Sequence, residues 1–242
     1  LSELSGLAGL AGITLPSSDN SSNSRKAIEM MRSISFFETH VMPKIYLPDL
    51  MAIESWNAKE NLIIYDESIF EKSSDTWVRN YSFPQKLIPS AQESHLVFME
   101  DHFDLTEDKD TGYVILSVKH QSPTIAKEWA ETIVNQVNNY YREKDKSGSE
   151  KAVTYLKQQL AKTNLSEIKV VTSSLIQREM QKLTLIEANP NYVFEYIYPP
   201  EVMEERSEPY RALIIVFFTL FGGILSVFVV LFRHYFSEEN IR

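Results

Sequence analysis

No cysteine occurs in the chain, which removes disulfides, thiolate nucleophiles and cysteine-based zinc or iron–sulfur sites in one step. The GxxxxGK[ST] and GxGxxG phosphate loops, the HExxH zinc helix and the GxSxG elbow are missing as well. Nucleotide hydrolysis, zinc proteolysis and serine hydrolysis therefore lack their usual parts. There is no cluster of Lys and Arg: the formal net charge is −9 and the basic residues are interspersed with Asp and Glu, so no counterion-releasing surface exists and nucleic acid is not an expected partner. Glycine is scarce, and Gly6, Gly9 and Gly12 fall together in LSELSGLAGLAGI, a stretch too Gly-rich for a robust isolated helix but suited to close packing. The chain opens at Leu1 without an initiator Met or a signal-peptide profile, so further residues are expected upstream.

The long hydrophobic run lies near the other end. Ala212 to Phe232 reads ALIIVFFTLFGGILSVFVVLF, uncharged and bracketed by Arg211 and Arg233, and a helix of that length covers the roughly 30 Å hydrocarbon core of a bilayer. A core helix apolar on every side at this length is unusual in a soluble domain. Thr219 with Gly223, and Gly222 with Ser226, are small pairs at i, i+4, the spacing that lets helices approach closely in lipid. Arg206 and Arg211 before the span balance Arg233 and Arg242 after it, so charge does not orient it. The bulk of the chain precedes the span, which places the folded mass on one side of the membrane and a short tail on the other.

The preceding region is expected to be α+β, with one sizeable core. A polar loop over 14–24 leads to a helix over 25–41, marked by Ala27, Ile28, Met31, Ile34 and Phe37 and ended by Pro43 and Pro48. Residues 49–95 carry aromatics without a sustained period, which favours short helices and irregular connections over a sheet. Phe103 and Leu105 before an Asp108–Gly112 turn, with Val114, Leu116 and Val118 after it, read as a β-hairpin. Ser122-Pro123 is an N-cap followed by Pro at the first helical position. From there Ala126, Trp129, Ile133, Val137 and Tyr140/Tyr141, then Val153, Leu156 and Leu160, hold a helical stripe. Continuous, that helix is about 40 residues and about 60 Å long, with Gly148 as the one place for a kink. Thr163-Asn164 and Ser166-Glu167 turn into a second helix with Ile168, Val171, Leu175, Met180, Leu183 and Ile186 on its apolar side, giving an antiparallel hairpin. Tyr192 to Tyr198 has the strongest strand propensity in the chain and is expected to join the 103–118 sheet before Pro199-Pro200.

Two constellations invite a chemical reading. Glu100, Asp101, His102, Asp104, Glu107 and Asp108, with His95 upstream, are oxygen-rich enough for a hard cation, but their spacing matches no EF-hand loop, and charge on a hairpin edge is an ordinary guard against unwanted pairing. Glu128 and Glu131 beside Trp129 resemble paired carboxylates with an aromatic sugar platform, whereas acids three apart on a helix face more commonly serve solubility. A membrane-anchored periplasmic glycan-processing enzyme using either group is the alternative reading, and a tethered coiled-coil adaptor a third. No catalytic residue, cofactor or metal site is assigned.

The segments LSELSGLAGLAGI, RKAIEMMRSISFFETHV, DLTEDKDTGYVILSVKHQSPTIAKEWAETIVNQVN, EKAVTYLKQQLAKTNLSEI and NYVFEYIYPP…EPYRALIIVFFTLFGG together resemble the Wzz-type chain-length determinants, the bacterial polysaccharide co-polymerases. The resemblance implies an α+β fold with a membrane-proximal α/β base (1–122), a long antiparallel helical hairpin (123–189), a last base strand and Pro-containing linker (190–210), a C-terminal transmembrane helix (211–233) and a short cytoplasmic tail (234–242). It also implies a Gram-negative inner-membrane protein with its bulk in the periplasm, and a first membrane helix upstream of Leu1. A homo-oligomeric ring is expected to act on the O-antigen polymerase, with the growing glycan as a second candidate partner, to set the chain length of lipopolysaccharide O-antigen without making bonds itself. Pro199, Pro200 and Pro209 stand as linker residues, and Thr219, Gly222, Gly223 and Ser226 as membrane-helix packing residues. The linker is poorer in proline than the family pattern, with acidic residues in their place. The missing phosphate loop and tyrosine-rich tail disfavour the kinase-linked branch of the family.

Overall fold

The computed structural model describes residues 20–208 and 211–238, with side-chain detail for 25–208 and 213–230. The Gly-rich 1–13 segment, the first part of the 14–24 loop and Pro209 lie outside the described residues. The chain is mixed helix and small sheet and falls into two units, one ending at Val202 and the other beginning at Met203.

Helix α1 spans Asn20–Met31, so the expected loop gives way to helix from Asn20. The single helix expected over 25–41 is broken at Ser33. Its extended backbone and hydroxyl cap a new start at α2, Ile34–Phe36, by accepting the Phe36 N–H, as short hydroxyl side chains do at helix starts. A wider turn over Phe37–Val41 and a tighter one over Met42–Lys44 follow. Pro48 does not end a helix: it occupies the first turn of α3, Leu47–Met51, where its missing N–H has no intrahelical duty.

Between 53 and 77 the expectation of no sheet is overturned by two small antiparallel hairpins. Strands β1 (Ile53–Asn57) and β2 (Leu62–Tyr65) pair with a register shift at Ile53/Ser55, and β3 (Phe70–Glu71) pairs with β4 (Thr76–Trp77). Asn61 and Asp75 take positive φ in the connecting turns, the conformation these two residue types tolerate best after Gly. Phe70, 1% exposed, is ringed by Tyr46, Tyr65 and Trp77 at centroid distances of 6.1, 5.7 and 5.2 Å. The Tyr65 hydroxyl donates to Asp49 on α3 at 2.5 Å, and burial, reinforced by that carboxylate, pushes the phenol well above its usual range.

Helix α4 (Ala91–Val97), capped by the Ser90 hydroxyl, runs into a wide turn over Phe98–His102. The expected hairpin follows as β5 (Phe103–Glu107) and β6 (Val114–Val118), with Phe103 opposite Val118 and Leu105 opposite Leu116. Alternation along β5 sends Phe103 and Leu105 into the core while Asp104 stays exposed. Gly112 closes the turn at φ +70°, where a side chain would be strained.

Helix α5 runs unbroken through Gly148 from Pro123 to Lys162, and α6 from Ser166 to Ala188. The three intervening residues reverse the chain, and Lys146 on α5 meets Glu187 on α6 at 2.5 Å, so the helices are antiparallel. Trp129, Ile133, Val137 and Tyr141 recur every four residues on one face of α5 and enter the main core with Ala27, Ile28, Met31, Phe36, Phe37, Val41, Leu50, Phe98, Phe103 and Leu105. The proximal half of α5 is thus a core helix, and the distal half leaves the core to pair with α6.

The second unit contains α7, Arg211–Glu238, which continues past Arg233. Its stretch Leu213–Val230 is long and apolar enough to cross a membrane, and none of it is buried among the described residues.

Candidate interaction surfaces

Two imidazoles sit at the foot of the hairpin. Ser122 takes the extended backbone of an N-cap, as Ser122-Pro123 predicts, but its hydroxyl makes no capping bond. The Ser122 N–H instead donates to His120 Nδ1 at 3.0 Å, while His120 Nε2 lies 3.0 Å from the Asp49 carbonyl. A neutral ring with its proton on Nε2 satisfies both. His102 Nδ1 lies 2.7 Å from the Lys119 carbonyl, which fixes its proton on Nδ1. The two rings are 5.8 Å apart and both lie against the buried Trp129, at 5.4 and 4.8 Å. A cleft of about 130 Å³ opens between them and Asp49, Leu50, Met51, Ile53 and Gln121.

Burial pulls both imidazoles below their ordinary value of 6.5. Carbonyl contacts and the nearby Asp101 and Asp49 oppose the shift, and for His120 the neighbouring His102 adds to it. A cation on His120 would also face the positive end of α5. The unfolded chain therefore binds more protons than the folded one just below pH 6.5, so stability rises with pH through that window. The contribution is complete above pH 6.5 and is lost as pH falls toward the folded values. Denaturant midpoints at pH 8 and pH 5 are expected to show the acid decline, and His120→Gln to flatten it. An unchanged slope in the variant would remove His120 from the effect.

The two constellations with chemical promise come apart. His95 Nε2 sits 3.0 Å from the Arg32 carbonyl, bracing the α1–α2 break. Asp108 spends its carboxylate on its own turn, accepting from the Asp110 N–H and the Thr111 hydroxyl at 2.9 and 2.7 Å, which hold it below the usual carboxylate range. Among the described residues no three His, Asp or Glu side chains come together around a possible ion. Trp129 is 3% exposed and serves the core, so it presents no sugar platform between Glu128 and Glu131. Glu131 pairs with Lys127 at 3.7 Å, an exposed contact worth little.

The segment expected as a sheet strand, Tyr192 to Tyr198, forms no ladder and does not join the 103–118 hairpin. It lies along α5, where the buried Asn138 takes the place of a neighbouring strand. Asn138 Oδ1 accepts the Val193 and Phe194 N–H groups at 2.8 and 2.9 Å, and Nδ2 donates to the Phe194 carbonyl at 2.9 Å. Tyr192 adds a hydroxyl bond to Asp145 at 2.7 Å. This strap delivers the chain to Pro199, exposed, and Pro200, partly buried. Asn138 escaped sequence reasoning because one Asn in a long polar-faced helix looks like a solvated position; the following Tyr-Val-Phe segment, lacking a partner strand, was the available signal.

Along α6 the expected apolar side is present but mostly uncovered. Only Thr172 and Ile186 are buried, while Val171 is 60% exposed and Ile168, Leu175 and Met180 on the expected side are exposed as well; Val170, 70% exposed, lies on the opposite face. On α7 the hydroxyls of Thr219 and Ser226 turn back to the Ile215 and Gly223 carbonyls at 2.7 Å, so neither hydroxyl is left without an acceptor. A Cβ at Gly222 or Gly223 would meet nothing within 4 Å. Among the described residues, none packs against these two glycines. No family model matches the chain, and no curated protein matches it in sequence.

Proposed function

We propose that the chain is a non-enzymatic regulator of surface polysaccharide length: an oligomeric inner-membrane scaffold of the Wzz type, with its bulk in the periplasm and its membrane helix alongside the polymerase that extends lipopolysaccharide O-antigen. The observation that carries this reading is the combination, in one chain, of a 40-residue helix folded back on a second helix with a membrane-length apolar stretch, Leu213–Val230, none of which is buried among the described residues. An elongated rod with an uncovered apolar stripe suits lateral packing of copies, and an open small-residue face at Gly222 and Gly223 suits a close helix partner in lipid. In this reading the base lies near the membrane, Pro199 and Pro200 stiffen the approach to it, and Pro209 completes the linker.

The test is a gel of surface polysaccharide from cells with the gene deleted and then restored. A clustered ladder is expected to vanish on deletion and return on complementation. Complementation with Gly222→Leu/Gly223→Leu, or with Pro199→Ala/Pro200→Ala, is expected to broaden or shift the cluster. An unchanged ladder on deletion would remove the proposal, and wild-type ring assembly and glycan length in both variants would remove these residues from it.

A further inference from the structure

The connection from β4 to α4, residues 78–90, reads VRNYSFPQKLIPS. Arg79 and Lys86 are its charged residues, giving it positive charge in a chain of net charge −9. The loop is closed from inside by Arg79. Its guanidinium donates to the Leu87 and Lys86 carbonyls at 3.0 and 2.6 Å and forms a two-pronged ion pair with Glu93 on α4. The paired side chains are 11% and 21% exposed, and the contact holds Glu93 below the usual carboxylate range. Ser82 and Gln85 close the tip with a backbone bond of 2.8 Å. With its polar ties directed inward, the loop turns its apolar side chains out: Phe83 is 97% exposed, Ile88 59% and Tyr81 54%, with Val78 and Leu87 beside them.

We propose that this loop is a membrane-surface foot, seating Phe83, Tyr81 and Ile88 at the headgroup–acyl boundary of an anionic bilayer with the Lys86 ammonium at a lipid phosphate. Aromatic and aliphatic side chains flanked by a basic residue form the composition that settles at such an interface. The unit that carries the loop is tethered to α7, long and apolar enough to cross a membrane, through residues 203–210, which, fully extended, reach no further than about 28 Å. A tethered patch needs far less intrinsic affinity than a free one. A foot braced by Arg79 and Glu93 pays little ordering entropy on contact.

The absence of cysteine allows a single probe. The full chain carrying Ser82→Cys, labelled with an environment-sensitive fluorophore, is reconstituted into phosphatidylethanolamine–phosphatidylglycerol vesicles containing a lipid with a nitroxide on its acyl chain. Quenching is expected to be several-fold stronger than for Ser173→Cys on α6, to fall when Phe83→Ser and Lys86→Gln are added, and to weaken in phosphatidylcholine. Equal quenching at both positions overturns the proposal, as does quenching indifferent to the two substitutions. Spin–spin broadening of a nitroxide at residue 82 in detergent would also overturn it, in favour of a second copy covering the loop. A chain that fails to float with the vesicles overturns it together with the span.

Discussion

Asn138→Ala is expected to lower the unfolding free energy by about 2–4 kcal/mol and to free the strap that leads to the linker. Truncation removes the amide that binds Val193 and Phe194 through three bonds, at a position only 3% exposed. Each backbone group left buried without a partner costs about 1–3 kcal/mol. Water entering beside the partly exposed Val193 and Phe194 recovers some of that, which keeps the sum below three full penalties. The Tyr192–Asp145 bond alone does not hold the segment, because a single net hydrogen bond is worth about 1 kcal/mol. Denaturant unfolding measures the loss, and limited proteolysis locates it: new cleavage is expected between Asn189 and Val202, with α5 intact. Asn135→Ala, on an exposed face of the same helix, should change stability by no more than about 0.5 kcal/mol. Equal stability of the two variants would show that the strap is held by something other than Asn138. In the proposed function, the freed strap also blurs the polysaccharide ladder, because the linker then leaves the rod from no fixed point.

What the sequence revealed and what it hid divide along physical lines. The β5–β6 hairpin was legible because alternation and a Gly-bearing turn agree on one register. Helix α5 was legible over its full length, since its stripe resumes after a polar stretch and a single Gly costs only about 1 kcal/mol. The hairpins over 53–77 were hidden for the opposite reason: β3 and β4 are two residues each, and the register shift in β1 spoils its alternation. Tyr192 to Tyr198 misled because strand propensity describes a side-chain surface rather than a guaranteed partner, and here a side-chain amide supplies the bonds. The Trp129 sugar platform failed because the same tryptophan also fits the core stripe of α5, and the core claimed it. For the proposed site, Thr219, Gly222, Gly223 and Ser226 were readable as spacing, but only the structure shows that no described residue packs against the two glycines. The basic, outward-facing 78–90 loop was invisible to pattern reading, since its order comes from Arg79 reaching across to Glu93.

Val170→Glu/Val171→Glu is expected to leave the fold of the chain intact and to dissociate the oligomer that the proposed function requires. Both side chains are largely exposed on α6 and the substitutions suit a helix, Glu being a better helix former than Val, so thermal unfolding should barely move. Assembly is different. If copies pack through the part of α6 that exposes Val170 and Val171, each valine buried in the contact contributes about 1.5 kcal/mol, and losing two weakens the contact about a hundredfold. Introducing two carboxylates into a chain already at −9 adds repulsion between copies, and in a ring the loss recurs at every junction. Light scattering of the detergent-solubilised full chain reads the mass directly, with Val170→Ala/Val171→Ala expected to fall between wild type and the Glu pair. A Glu variant of unchanged mass would show that copies do not meet through the exposed side of α6, and would leave the membrane helix, with its open Gly222–Gly223 face, as the remaining surface for self-association.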